Sequence, residues 1–315
     1  MYLSILADTI NVTGPIFILV AIGVVLKRIN FVDDRFIQTS SKLVFSLCLP
    51  LLLFTTISAS DINETFDVSL LNFSVLASLG TFLASWLVAM IFVTPHRDRG
   101  VFIQACFRSN LGVVGLALCA NAYGDQGLAL ASALMASLTV SYNILSVAIL
   151  SFYAGRETFS LKQVIVDIVK NPLIIAIALA ILVSALQVPV PRTLMSAGEY
   201  LGSLALPLAL LGTGAGMNLR AIRDSSLVTV LAVVMKTALL PIGVTLAAIS
   251  MGFEGVMLGA LFLMFASPTA TASFIMVKSM GGNDALAANL IMVTTLVSIF
   301  TCSIGLFLLR VYYEN

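Results

Sequence analysis

The chain has 315 residues, of which 60% are hydrophobic and only 10% charged, and its net charge is +1. Its mean hydropathy is +1.09, whereas soluble domains carry about 25% charged residues. Composition therefore defines an integral membrane protein with the lipid bilayer as its partner. With 16 basic against 15 acidic residues and no basic tail, nothing points to nucleic acid.

The segment 1–9 lacks a basic n-region and contains Asp8. The first apolar run is therefore expected to persist as a helix rather than to be cleaved. A membrane span needs about 20 apolar residues. Charge-free stretches occur at 9–26, 43–60, 68–95, 109–124, 126–155, 171–191, 200–219, 225–253 (interrupted by Lys236), 255–277 and 285–309. These predict ten transmembrane helices, the fourth starting near Arg99. The connection 156–170 carries Phe159, Leu161, Val164, Ile165 and Ile168, a pattern suited to a short interfacial helix.

Basic residues set orientation. Lys27, Arg28, Arg35, Lys42, Arg97, Arg99, Arg156, Lys162, Lys170, Arg220, Arg223 and Lys278 fall in loops on one face of a ten-span arrangement, against Arg192 and Arg310 on the other. Both termini are expected outside the cytoplasm, in a multi-pass protein of the cell inner membrane.

Two spans are interrupted. The ninth contains Ser267-Pro268-Thr269, and the fourth contains Arg108-Ser109-Asn110 followed by Gly112 and Gly115. A proline ends a half-helix and frees backbone groups that lipid cannot satisfy, so such a break lines a buried or watery cavity. The halves align at an offset of 157 or 158: Leu49-Pro50-Leu51 returns as Leu206-Pro207-Leu208, and Asn110 maps onto Pro268. Five helices per copy is an odd number, so the second copy enters inverted. Residues 1–157 and 158–315 then form an inverted 5+5 repeat with crossed broken helices 4 and 9, an arrangement of secondary transporters.

Half-helix ends offer free N–H and C=O groups. Ser109, Asn110, Ser267, Thr269 and Thr271 can hydrogen-bond a substrate there, or satisfy the freed backbone and aid helix packing. Asn143 in helix 5 and Asn72 in helix 3 are further polar candidates. Arg108 and Lys236 lie inside spans, and a cation at the bilayer centre costs roughly 2.5–3.5 kcal/mol on insertion scales. All 15 acidic residues occupy loops or helix ends, so the missing partner is either the substrate or water reached by snorkelling. Cys48, Cys106, Cys119 and Cys302 lie in apolar segments without metal-ligand spacing and serve as small buried hydrophobes. There is no phosphate loop, catalytic triad, metal cluster or intramembrane aspartate pair. The sequence thus offers neither an enzyme nor a cofactor, nor ATP-driven transport.

Several of these residues form a set that resembles the auxin efflux carrier family. The stretch 42–54, KLVFSLCLPLLLF, is similar to a family signature. The segment 107–115, with Arg108, Asn110 and Gly112, looks like its first crossover, and Ser267-Pro268-Thr269-Ala270 with Gly281-Gly282-Asn283 its second. The resemblance covers nearly the whole chain. It implies an all-α membrane fold of the NhaA and bile-acid-symporter kind, in the bile, arsenite and riboflavin transporter superfamily. Helices 1, 2, 6 and 7 would form a scaffold hinged at Pro50 and Pro207, and helices 3–5 and 8–10 a moving transport domain. Carriers of this family move organic anions, including dicarboxylates in bacteria and auxin in plants. Plant auxin carriers have prolines at both crossovers; Ser109-Asn110-Leu111 here speaks against auxin, and the short 156–170 loop fits a compact bacterial carrier.

The expected function is secondary transport of a small organic anion by elevator-like alternating access. Asn110 and Thr269 would donate to the anion, and Arg108 or Lys236 would balance its charge. Proton symport, potential-driven export and exchange all fit, and the long helices 2 and 7 suit a homodimer. The alternatives are a non-transporting sensor or interaction protein on a carrier fold, and a channel.

Overall fold

The computed structural model describes residues 2–59, 67–154, 166, 169–217 and 226–314. The proposed interfacial residues Phe159, Leu161, Val164, Ile165 and Ile168 lie outside them, as do Arg156, Lys162, Arg220 and Arg223. The described chain is all helical: α1 (Tyr2–Arg28), α2 (Asp34–Ser58), α3 (Val68–Phe92), α4 (Asp98–Phe107), α5 (Leu111–Tyr153), α6 (Pro172–Ala185), α7 (Arg192–Ala215), α8 (Leu227–Ser250), α9 (Gly255–Ala266), α10 (Ala272–Ser279) and α11 (Asp284–Glu314). Seven of these, α1, α2, α3, α5, α7, α8 and α11, are long and apolar enough to cross a membrane, and α6 and α9 are shorter apolar helices. A glycine in the left-handed region, Gly124 (φ 61°), bends α5 into arms 111–123 and 125–153.

Short polar side chains start the helices. Asp33, Asp67, Asn171, Ser226 and Asn283 each accept a hydrogen bond from a first-turn amide of α2, α3, α6, α8 and α11, which satisfies donors that a helix leaves free. At the other end of α3, Arg99 donates to the carbonyls of Val93 and Met90, a cationic C-cap.

Three helices widen locally into a π-wound turn. Leu49 donates to Val44 and Leu240 to Met235, each carbonyl five residues back, just before Pro50 and Pro241. The wider turn makes room for a pyrrolidine ring that would otherwise meet the preceding carbonyls. The third, Leu111–Gly115, opens α5. Helix α7 turns instead at Leu204, which has ψ −18°, three residues before Pro207.

Packing gathers most helices into two groups, which meet where α1 contacts α11 and α5. α1 lies along α7, and α2 against α6 and α7; α3, α4, α5, α8, α9 and α11 pack on one another. The α1–α7 approach is very close: a Cβ on Gly23 or Gly214 would overlap the carbonyl oxygen of Leu211 or Val20. Small residues allow this backbone contact, which is how helices associate where lipid competes equally for apolar side chains. In the second group Gly100–Phe107 of α4 and Leu258–Ala266 of α9 are buried at every position, as expected of helices apolar all round. An aromatic chain of Phe82, Phe107 and Tyr142, with ring centroids 5.4 and 5.6 Å apart, links α3, α4 and α5.

Candidate functional site

The two interruptions meet. Helix α4 ends at Phe107, Arg108 is extended (ψ 102°), and Asn110 has φ −79° and ψ 69°. The Leu111 amide donates to the Ser109 carbonyl at 3.0 Å, so Asn110 is the centre of an inverse γ-turn. That turn breaks the first segment without a proline. In the second, Ser267 is extended (ψ 144°) after α9, and Pro268 has no N–H to give. Each break then satisfies the other: Asn110 N–H donates to the Pro268 carbonyl (2.7 Å) and Ala270 N–H to the Arg108 carbonyl (3.0 Å). Ser109 and Thr269 pair as an isolated antiparallel bridge. Unpaired backbone groups cost several kcal/mol each in hydrocarbon, and this pairing removes four of them.

Side chains reinforce the crossing. The Thr269 hydroxyl donates to the Ala105 carbonyl (2.7 Å), and its amide to Thr294 Oγ1 (3.2 Å). Ser267 donates to Leu263 (2.8 Å) and Ser109 to Phe265 (3.3 Å). Lys236, 2% exposed, sits in the π-wound turn of α8 and donates to Ser109 Oγ and to the Phe265 carbonyl, the latter at 3.1 Å. A buried lysine thus ties α8 to both breaks.

Beside the crossing lies a cavity of about 480 Å³, lined by Arg108, Ser109, Asn110, Tyr142, Asn143 and Thr271, with Lys170 and Asn171 also on its wall. The Arg108 guanidinium donates to Asn143 Oδ1 (3.0 Å), Ser146 Oγ (3.1 Å) and Met276 Sδ (2.8 Å). All three are neutral, and among the described residues the ion pairs are Lys27–Asp34 and Arg97–Asp98, so no carboxylate balances Arg108 or Lys236. The Asn110 side-chain nitrogen is buried without a hydrogen-bond partner. A fixed cation and an unpartnered amide donor on one wall are both donors without an acidic partner. A second, mostly apolar chamber of about 310 Å³ lies between α2, α7, α10 and α11 and shares Phe45 and Thr271 with the first.

Of the residues singled out in the sequence, Arg108, Ser109, Asn110, Asn143 and Thr271 line the larger cavity. Ser267, Pro268, Thr269 and Lys236 stand behind it, their polar groups engaged in the crossing. Pro50 and Pro207 line neither chamber; Phe45, five residues before Pro50, lines both. Sequence reasoning missed Phe45, Thr139, Tyr142 and Ser146. The last three share with Asn143 a spacing of i, i+3, i+4 and i+7, one face of a helix, and that stripe was a usable signal.

Among the described residues, an all-helical fold with seven apolar helices of membrane-spanning length around a buried polar crossing is that of a multi-pass membrane protein. The profile of the membrane transport protein family matches residues 11–158 and 154–306. The chain belongs to that family of auxin-efflux-carrier-like proteins. It is also similar to an "Uncharacterized transporter" of Methanothermobacter thermautotrophicus, 20% identical over 293 residues that span 90% of this chain and 93% of that protein.

Proposed function

We propose that the protein is a secondary carrier of a small organic anion, a carboxylate being the simplest, and that it works by alternating access. The observation that carries this is Arg108, which faces the 480 Å³ cavity with neutral partners alone and lies next to the unpartnered amide of Asn110. An incoming carboxylate supplies the missing charge and accepts both donors. The cation then needs no resident acid.

Ten crossings in two inverted copies remain the architecture of this proposal. The two interruptions, which pair with each other as counterparts, support two copies, and α4 with the first arm of α5, and α9 with α10, supply the two broken spans. The packing of α1, α2, α6 and α7 chiefly on one another, with α1 meeting α11 and α5 at the boundary, supports a scaffold and a transport group. In this proposal the basic loops face the cytoplasm, so that both termini lie on the far side of the inner membrane. Lys170 and Asn171, from one such loop, line the cavity, which supports an inward opening.

The test is uptake of labelled acetate, succinate and benzoate into proteoliposomes. Saturable uptake and counterflow that Arg108→Gln abolishes support the carrier. Non-saturating flux would indicate a channel, and no flux above empty vesicles for any of the three would overturn the anion-carrier reading.

A further inference from the structure

Lys236 lies outside the anion cavity, yet it is the most deeply buried charge-bearing group of the crossing. Its Nζ donates to Ser109 Oγ and to the Phe265 carbonyl, so one ammonium holds the first break through a hydroxyl and the second through a backbone oxygen. Ser109 itself lines the cavity. Nζ is therefore one hydroxyl away from the space that Arg108 faces, on the dry side of it.

The groups around Nζ leave its charge unbalanced. From α4 it is faced by Cys106, with Arg108 one residue beyond that helix, and from α11 by Cys302. Both thiols are turned to carbonyls, of Ala232 and Ala266. From α9 it meets only the Phe265 carbonyl oxygen. No carboxylate approaches among the described residues. A buried ammonium without a counter-charge is expensive, and Arg108 adds a like charge on the same break.

We propose that Lys236 is the proton-binding site of the carrier, its proton being a co-substrate that binds cooperatively with the anion. The inference rests on the anion-carrier reading. An anion at Arg108 lies one hydroxyl from Nζ and offsets the cost of the ammonium; reciprocally, the ammonium strengthens anion binding by the same factor. With the cavity empty, an N–H bond of the ammonium breaks and its electron pair stays on Nζ. Ser109 Oγ accepts that proton while its own, turned from the Phe265 carbonyl, passes to water in the cavity. Ammonium formation strengthens the two hydrogen bonds that tie the breaks together, and its loss weakens them to those of a neutral amine. Arg108 stays charged throughout. The proton is therefore exchanged at Lys236.

Two fixed-state variants test this in proteoliposomes with labelled acetate, succinate and benzoate, between about pH 5.5 and 8.5. Lys236→Gln keeps an amide donor without a titratable charge, and Lys236→Arg keeps the charge without losing it. In the wild type the apparent affinity for the transported anion should fall roughly 5–150-fold as pH rises, the usual span of such couplings. An imposed inward proton gradient at clamped membrane potential should accelerate uptake, with external alkalinisation. In either variant that folds, as judged by its melting midpoint, the pH dependence and the proton movement should both be lost, the affinity resting at the weak alkaline value in Lys236→Gln and at the strong acidic value in Lys236→Arg. Saturable wild-type uptake indifferent to pH, or a pH profile that survives in both variants, overturns the proposal and leaves the carrier intact. Absence of saturable uptake at every pH overturns both.

Discussion

The amide nitrogen of Asn110 stands 2.7 Å from the carbonyl oxygen of Pro268, so each interrupted helix is completed by the other rather than by lipid. The breaks are thereby a single structural unit. Polar side chains attached to it divide into those that hold the crossing and those that face the cavity.

Asn110 supports both roles with different atoms, which makes them separable. Its backbone closes the crossing, while its side-chain nitrogen is unpartnered. Asn110→Ala is expected to leave the melting midpoint in detergent nearly unchanged. It should raise the KM for anion uptake about tenfold or more, because a hydrogen bond to a charged group is worth about 1.5–3 kcal/mol. A large fall in stability with unaltered KM would make the amide structural.

Arg108 calls for a fork rather than a point charge. Its two terminal nitrogens reach Asn143 and Ser146 on neighbouring turns of α5 while facing the cavity. A lysine in its place would keep the charge and lose that geometry. Arg108→Lys should therefore reduce kcat/KM for uptake by at least about tenfold. Arg108→Ala should in addition destabilise the protein by about 1–3 kcal/mol, since Asn143 and Ser146 lose a buried partner. Uptake kinetics and thermal unfolding measured on the same preparations check both.

The α1–α7 contact predicts a stability defect remote from the cavity. A methyl group on Gly214 would overlap the backbone oxygen of Val20, and backbone cannot rotate away as a side chain can. Gly214→Ala should cost about 1–3 kcal/mol. By contrast, a Cβ on Gly243 meets nothing within 4 Å, so Gly243→Ala, inside helix α8, should leave the unfolding midpoint unchanged or raise it slightly. Equal effects at both positions would refute the close approach.

What the sequence carried depended on contrast. In a chain so apolar, Arg108, Asn110, Asn143, Lys236 and Pro268 stand out, and the all-α membrane class follows from composition alone. Thr269 and Asn110 looked alike as hydrogen-bond donors, yet only tertiary contact assigns the Thr269 hydroxyl to Ala105 and leaves the Asn110 amide free. The same holds for Lys236, whose partners lie 127 and 29 residues away. Phe45 was invisible for the opposite reason: an aromatic residue in an apolar run carries no contrast until its neighbours are known.

Phe45 also offers the most direct test of sliding between the two helix groups. It belongs to α2, in the α1–α2–α6–α7 group, and its ring carbon lies 4.0 Å from where a Cβ on Gly112 would be. Gly112 belongs to α5, on the other side of that division. If transport requires the groups to move past each other, this contact must open in every cycle. With the four buried cysteines replaced, Phe45→Cys paired with Gly112→Cys should be joined by a short bifunctional thiol reagent with a reducible spacer. Uptake should stop on linking and return on reduction, while each single variant stays active after the same treatment. Linked protein that still transports would show the two groups moving as one body, and the alternating step would then have to be sought within the α3–α5 and α8–α11 group alone.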